Sequence, residues 1–325
     1  MLKILVTGSS GFIGQYLSNS LQKNCSHGNA CNYDIVHTYR HLPEDLSSKN
    51  SSHFSVGNID SKTQWQSALA GVDVVIHLAA RVHVMNETHA DPLEAFRAVN
   101  THGTMNLARQ AVAAGVKRFV YLSSIKVNGE QTLDKSFYAD DKPAPQDPYA
   151  VSKFEAEQQL LALGKETGLE VVIIRPPLVY GPGVKGNFSR LIKLVKKSIP
   201  LPLAGINNSR SLVSIQNLCS LIEVCLLHPK AAGGVFLVSD GQDLSTSELF
   251  KQIAMALGKK SRLFHLPQSW LRFMTHALGR GAEYERLFGS LQVDITKNEQ
   301  LLGWQPEVSV EAGIRHAVED MEKLK

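Results

Sequence analysis

Leu2-Lys3-Ile4-Leu5-Val6-Thr7-Gly8-Ser9-Ser10-Gly11-Phe12-Ile13-Gly14 is the stretch that decides the fold of this chain. The apolar run Leu2–Thr7 reads as a strand, and residues 13–22 behind it read as a helix. Three glycines punctuate the turn between them. Gly8 permits a sharp turn, Gly11 lets backbone approach a pyrophosphate, and Gly14 allows close packing of the helix. The helix N-terminus adds a partial positive charge that favours an anion. A plain Gly/Ser loop is the alternative, and the position between strand and helix argues against it.

The same alternation continues downstream. Residues 34–39, 73–78, 118–122 and 170–174 read as further strands, and long helical patterns at 92–114 and 148–167 separate the later ones. This order predicts an α/β fold: a Rossmann-type, doubly wound parallel sheet covered on both faces, with ligands at the C-terminal ends of its strands. After Tyr180 the pattern changes to a glycine-rich loop and a basic helix near 188–197. Residues 233–240 read as one more strand rejoining the sheet, and Ser245-x-x-Glu248 as a capping box. The expected organisation is a dinucleotide-binding domain over 1–180 and 211–240, with a smaller discontinuous substrate lobe over 181–210 and 241–325.

Composition narrows the class. The 325 residues are 43% hydrophobic and 20% charged, ordinary for a globular enzyme, with a formal charge of only +4. Lysines and arginines are scattered rather than clustered with aromatics, which argues against nucleic acid as partner. No apolar run approaches the roughly 20 residues of a membrane span. Met1 leads straight into the first strand, so no signal peptide is expected. Cys25, Cys31, Cys219 and Cys225 form no CxxC pair and no disulfide framework, so the expected compartment is a reducing cytoplasm. Cys25, His27 and Cys31 match no standard zinc spacing, and no metal is expected.

Tyr149 and Lys153 form a Tyr-x-x-x-Lys pair on one helix face, one turn apart. A free tyrosine titrates near 10, so it transfers protons poorly at neutral pH. A neighbouring ammonium and a positively charged nicotinamide ring are expected to lower that value. Ser123-Ser124 closes the strand upstream and Arg175-Pro176 follows the strand downstream. At the end of the second strand stands Arg40, where NAD-selective sites place an acid; an arginine there suits the 2′-phosphate of NADP, the alternative being a solvated strand-end residue. The cofactor is therefore read as NADP or NAD, with NADP slightly preferred.

Gly8-x-x-Gly11-x-x-Gly14, His77-Leu78-Ala79-Ala80, Asn100, Ser123-Ser124, Tyr149-x-x-x-Lys153, Arg175-Pro176-x-x-Val179-Tyr180-Gly181 and Leu302-Gly303-Trp304-x-Pro306 occur in one order. In this the chain resembles the extended short-chain dehydrogenase/reductases, in their nucleotide-sugar epimerase/dehydratase/reductase branch. The resemblance implies that Ser124, Tyr149 and Lys153 are catalytic. Tyr149 would be the general acid/base, Ser124 would bind the reacting sugar oxygen, and Lys153 would bind the nicotinamide ribose. It places Gly8, Gly11, Phe12, Ile13, Gly14, Arg40, Asn58, Ile59, Leu78, Ala79, Ala80, Asn100, Tyr149, Lys153 and Pro176 against the cofactor. For the substrate it offers Ser124, Arg81, His83, Asn128, Asn187 and Arg210. Arg210 would contact a UDP-type pyrophosphate, for which a bidentate guanidinium is suited. Arg81 and His83 are equally open to a structural reading, Asn128 to that of a turn residue, Asn187 to loop capping and Arg210 to a surface role. A homodimer through the two long helices is also implied.

Three departures matter. Dehydratases of this branch carry an acidic pair after the catalytic Thr, and here Ile125-Lys126 stands instead. The usual Val-Tyr-Gly after the serine is Val127-Asn128-Gly129, and an Asn common before the later Val-Tyr-Gly is Leu178. The segments 77–85, 124–129 and 175–181 look like a narrower subgroup, bacterial surface-polysaccharide (O-antigen) enzymes of the UDP-N-acetylquinovosamine dehydrogenase type, many carrying the generic name UDP-glucose 4-epimerase. They reduce UDP-4-keto-6-deoxy-N-acetylhexosamines. The implied activity is hydride transfer at C4 of a UDP-sugar, with a 4-epimerase and a non-catalytic NADP sensor as alternatives.

Overall fold

A computed structural model describes residues 1–23, 33–42, 52–82, 91–267, 269–270 and 287–323. Its centre is a seven-stranded sheet of order β3-β2-β1-β4-β5-β6-β9, parallel throughout. The strands are β1 Leu2–Thr7, β2 Tyr33–Tyr39, β3 His53–Ser55, β4 Val74–His77, β5 Arg118–Leu122, β6 Glu170–Arg175 and β9 Val235–Leu237. Successive side chains of a strand face opposite ways, so Ile4 and Val6 enter one apolar layer while Leu5 enters the other. The first layer is closed by helices α1 (Phe12–Lys23) and α7 (Ile215–Leu227), the second by α4 (Thr104–Ala113) and α5 (Pro148–Thr167). Burial on both faces explains why the central strands read as continuous apolar runs rather than alternating ones.

β1 lies between β2 and β4, so the chain winds outward to β3 and then returns to build the other half. That reversal opens a crevice at the C-terminal ends of β1 and β4. Four motifs of the sequence meet at this edge: the Gly8 turn after β1, Leu78-Ala79-Ala80 after β4, Ser123-Ser124 after β5 and Pro176 after β6.

Some elements differ from expectation. The helical pattern at 92–114 is divided into α3 (Pro92–Arg97), a π-helical segment Ala98–Gly103, and α4. A second, two-stranded parallel sheet pairs β7 (Leu178–Tyr180) with β8 (Leu212–Ser214). Around it a third apolar cluster gathers Tyr180, Phe188 and Ile192 with Ile253, from α6 (Gly186–Lys196) and α8 (Thr246–Ala256), and Ile314 from α10 (Val310–Lys323). Further α-helices are α2 (Gln66–Leu69) and α9 (Thr296–Leu302), and single 3-10 turns form at Ile125–Val127 and Pro229–Ala231. Buried Asp240 ties these parts together, accepting from Tyr180 Oη at 2.7 Å, Ser214 N at 2.8 Å and Asn217 Nδ2 at 2.7 Å. The capping box forms at the start of α8, with both Ser245 and Glu248 engaged. Cys219 and Cys225 are buried free thiols on α7 whose burial pushes their pKa up, whereas Cys25, His27 and Cys31 lie outside the described residues. Among the described residues no helix is long and apolar enough to cross a membrane.

Candidate active site

The floor of the crevice is bare backbone. Gly8 takes a φ of 70°, and a Cβ there would lie 3.0 Å from the Ala79 nitrogen. At Gly14 a Cβ would fall 2.2 Å from the Gly8 carbonyl oxygen. Gly11 N donates to that same oxygen at 2.9 Å, closing the turn before α1 begins. Thr7 locks the turn to the neighbouring strand. Its Oγ1 accepts from Leu78 N at 3.1 Å and Ala79 N at 3.2 Å. With both lone pairs taken, the hydroxyl donates to His77 Nδ1 at 2.7 Å, and His77 Nε2–H donates to Thr104 Oγ1 at 2.9 Å. Burial, then the Lys153 charge, lowers the His77 pKa to about 3, so the ring is neutral as this relay requires. Tight glycines, a helix N-terminus and the half-buried Leu78, Ala79 and Ala80 make a cradle that fits a dinucleotide pyrophosphate.

Tyr149 and Lys153 project from α5, whose start is set by Asp147 as N-cap (Ala150 N to Oδ1, 2.7 Å) and by Pro148 in the first turn. Tyr149 is half-buried, and the Ser124 side chain beside it favours its ionised form. Its ring meets the edge of Phe96 at 6.0 Å, and the Arg81 guanidinium lies 5.6 Å over Phe96. Lys153 is only 2% exposed; Nζ donates to Leu122 O at 2.8 Å and sits 4.5 Å over the Tyr121 ring. Burial pulls Lys153 down to about 7 while Glu157 pushes it the other way. The lowered tyrosine pKa expected from the sequence is not met in the protein by itself. Burial and then Asp147 raise Tyr149 to about 12, opposed by the neighbouring Ser124 hydroxyl. The physical reason is that the Lys153 ammonium is turned to a carbonyl, so desolvation of the phenolate dominates.

Asn100 sits in the π-helical segment, a distortion that frequently marks functional sites. Its amide clamps the Arg81 backbone (Arg81 N to Oδ1, 2.8 Å; Nδ2 to Arg81 O, 3.0 Å) and reaches Ser152 Oγ at 3.0 Å. Gly103 in the same segment leaves room for Ile59, whose Cγ2 would lie 2.7 Å from a Cβ. Asn58 is exposed beside it, and its carbonyl accepts from Thr63 Oγ1 at 2.8 Å. Arg40 is exposed at the bend ending β2. Pro176 is buried, its carbonyl accepting from Ile125 N at 3.0 Å.

Beneath the site lies a network that sequence reasoning missed. Arg175 pairs with Glu157 through Nε at 3.0 Å and NH2 at 2.5 Å, both side chains being nearly inaccessible. Its NH1 donates to Asn128 Oδ1 at 2.9 Å, and Asn128 Nδ2 donates to Tyr138 O at 2.9 Å, so the Asn128 amide is spent within the protein. The signal was available: positions 149, 153 and 157 share one face of α5, and an acid there needs a buried partner. Phe96 carried no such signal.

The remaining residues lie further out. Arg210 is half-buried, donates NH1 to Gly289 O at 2.8 Å, and feels the charge of Glu130. Asn187 is exposed on the first turn of α6. His83 lies outside the described residues.

This geometry can be set against known proteins. The UDP-glucose 4-epimerase of Vibrio cholerae is 46% identical over 318 residues, covering 97% of this chain and 94% of that protein. The structure of UDP-glucuronic acid 4-epimerase from Bacillus cereus in complex with NAD superposes with a TM-score of 0.78 at 23% identity, covering 99% of both chains. RMD from Pseudomonas aeruginosa complexed with NADPH gives a TM-score of 0.73 at 24% identity, covering 99% of this chain and 100% of the other. Residues 4–239 match the model of one family. The chain belongs to the NAD dependent epimerase/dehydratase family.

Proposed function

We propose that the protein transfers a hydride between NADP or NAD and C4 of a UDP-hexosamine, acting to reduce a UDP-4-keto-6-deoxy-N-acetylhexosamine for surface-polysaccharide synthesis. The observation that carries this reading is Ser124 placed beside Tyr149, one helical turn from buried Lys153 and at the same sheet edge as the glycine cradle. The cofactor, when bound, supplies the hydride. Gly8, Gly11, Phe12, Ile13 and Gly14 would hold its pyrophosphate, Arg40 its ribose 2′-substituent and Asn58 with Ile59 its adenine. Leu78, Ala79, Ala80, Asn100 and Pro176 would wall the nicotinamide half, with Lys153 at the ribose.

Tyr149, with a pKa near 12, keeps its proton at neutral pH, the state a reductase needs in order to protonate an oxygen at C4. Ser124 stabilises the charge developing on the same oxygen. Lys126 stands where a dehydratase needs an acid, and its ammonium is committed to Asp147 at 2.5 Å and Glu130 at 2.8 Å. This disfavours water elimination. Arg81 and Arg210 are the guanidinium groups offered to the substrate.

The Vibrio cholerae relative favours a second reading, a UDP-glucose or UDP-N-acetylglucosamine 4-epimerase, in which the same three residues act twice as the sugar is oxidised, turned over and reduced on its other face. One assay decides between them. Protein is mixed with NADPH or NADH and UDP-4-keto-6-deoxy-N-acetylglucosamine, and separately with UDP-glucose or UDP-N-acetylglucosamine. Stoichiometric cofactor oxidation by the keto sugar supports the reductase. Interconversion of the 4-epimers without net cofactor use refutes it and establishes the epimerase.

A further inference from the structure

We propose that Lys126 is a positioning residue for Tyr149: it ties the turn carrying Ser124 to the first turn of the helix carrying Tyr149, and it offsets part of the charge of the carboxylate beside that phenol. This deepens the functional reading above and rests on it. Ser124 and Tyr149 come from different elements, so keeping them side by side needs the two elements held at a fixed spacing. Lys126 supplies a second link beside it. Its backbone N–H donates to Ser124 Oγ at 3.3 Å, and its Nζ lies 2.5 Å from Asp147 Oδ2. The other oxygen of Asp147 caps α5 at Ala150 N, 2.7 Å away, with Tyr149 in the same turn.

Among the described residues the charges around the phenol are few. On α5 it faces Asp147, with Lys153 one turn further on and bonded to Leu122 O. From the turn after β5 come Ser124, then Lys126 and Glu130, with Arg210 beyond Glu130. Phe96 of α3 presents a ring with Arg81 above it, and Tyr121 of β5 lies beneath Lys153. Asp147 is the carboxylate that disfavours the phenolate, and Lys126 is its ion-pair partner. The side chains of Lys126 and Asp147 are 28% and 24% exposed, so water screens the pair only in part. Without the ammonium, the part of the Asp147 charge that Lys126 offsets acts on Tyr149 as well, and the phenolate becomes harder to form.

The test uses the NAD-loaded protein and an ultraviolet difference titration of tyrosinate, with Tyr149→Phe as the blank, beside kcat and KM. In Lys126→Met the Tyr149 titration should move about one pH unit to the alkaline side. Neutral-pH kcat should fall about tenfold with KM within about twofold. Lys126→Arg should restore most of both. Lys126→Met/Asp147→Asn should too, because Asn still accepts from Ala150 N but carries no charge. If Lys126→Met does not fold, Asp147→Asn alone should move the tyrosinate titration to the acid side. An unmoved titration in the single variant that folds, or a double variant no better than Lys126→Met, overturns the proposal. The optical titration needs no turnover, so it is separable from the functional reading, which falls instead if Tyr149→Phe turns over like the wild type.

Discussion

Replacing Gly14 by alanine sets two effects of known size against each other. In a helix alanine is better than glycine by about 1 kcal/mol, so propensity alone makes Gly14→Ala stabilising. The structure opposes this. The new Cβ would stand 2.2 Å from Gly8 O and 2.9 Å from both Gly8 C and Ser9 Cα, whereas an ordinary carbon contact needs roughly 3.5 Å. All three obstacles are backbone, and none can swing away as a side chain would. Gly8 O is further held by the Gly11 N–H, and α1 is seated in the core by Leu17 and Leu21, both fully buried. Relief of about 1 Å must come from separating the helix start from the turn. Overpacking of this kind costs about 1–3 kcal/mol, which exceeds the propensity gain. The same separation draws the helix N-terminus away from the pyrophosphate, and dinucleotide affinity should fall at least about tenfold. Urea unfolding of the protein without cofactor gives the first quantity and calorimetric titration with NADPH the second. Gly11→Ala, with its Cβ 3.1 Å from the same oxygen, should lose less of each. A Gly14→Ala protein at least as stable as wild type, binding NADPH unchanged, would mean that the turn yields to the new methyl at no cost.

Other expectations are simpler to state. Tyr149→Phe keeps the ring that meets Phe96 but has no proton to transfer, so turnover should drop by about a hundredfold or more while cofactor affinity holds; a wild-type kcat would remove Tyr149 from the chemistry. Arg40→Asp should weaken NADPH by roughly tenfold and leave NADH little changed. Equal affinities for NADPH in both proteins would make Arg40 a surface residue. Because His77 is lowered from 6.5 to about 3, the folded protein binds fewer protons than the unfolded chain between those values. Stability is therefore lost as pH falls below 6.5, by about 2 kcal/mol at about pH 5 from this residue alone. His77→Asn should flatten that part of the stability–pH curve, and an unchanged slope would contradict the neutral relay.

The features that depend on local pattern were legible along the chain. Apolar runs marked the central strands β1, β2, β4, β5 and β6 within a residue or two, because strands buried on both faces have no other composition available. The glycine turn, the capping box at Ser245 and the Tyr149-x-x-x-Lys153 spacing were legible for the same reason: each rule acts over a few neighbouring residues. The short β3, β7 and β8 were not, since three residues carry no period and exist as strands only where a partner edge receives them. Tertiary structure alone decided the electrostatics. The spacing of Tyr149 and Lys153 suggested an acidic tyrosine, but pKa depends on solvation and on where each charge points. Folding buried the phenol beside Asp147 and turned the ammonium to Leu122 O. It also brought Arg175 to Glu157 and Lys126 to Asp147, pairs far apart in the chain that meet because β5, β6 and α5 converge at one edge of the sheet.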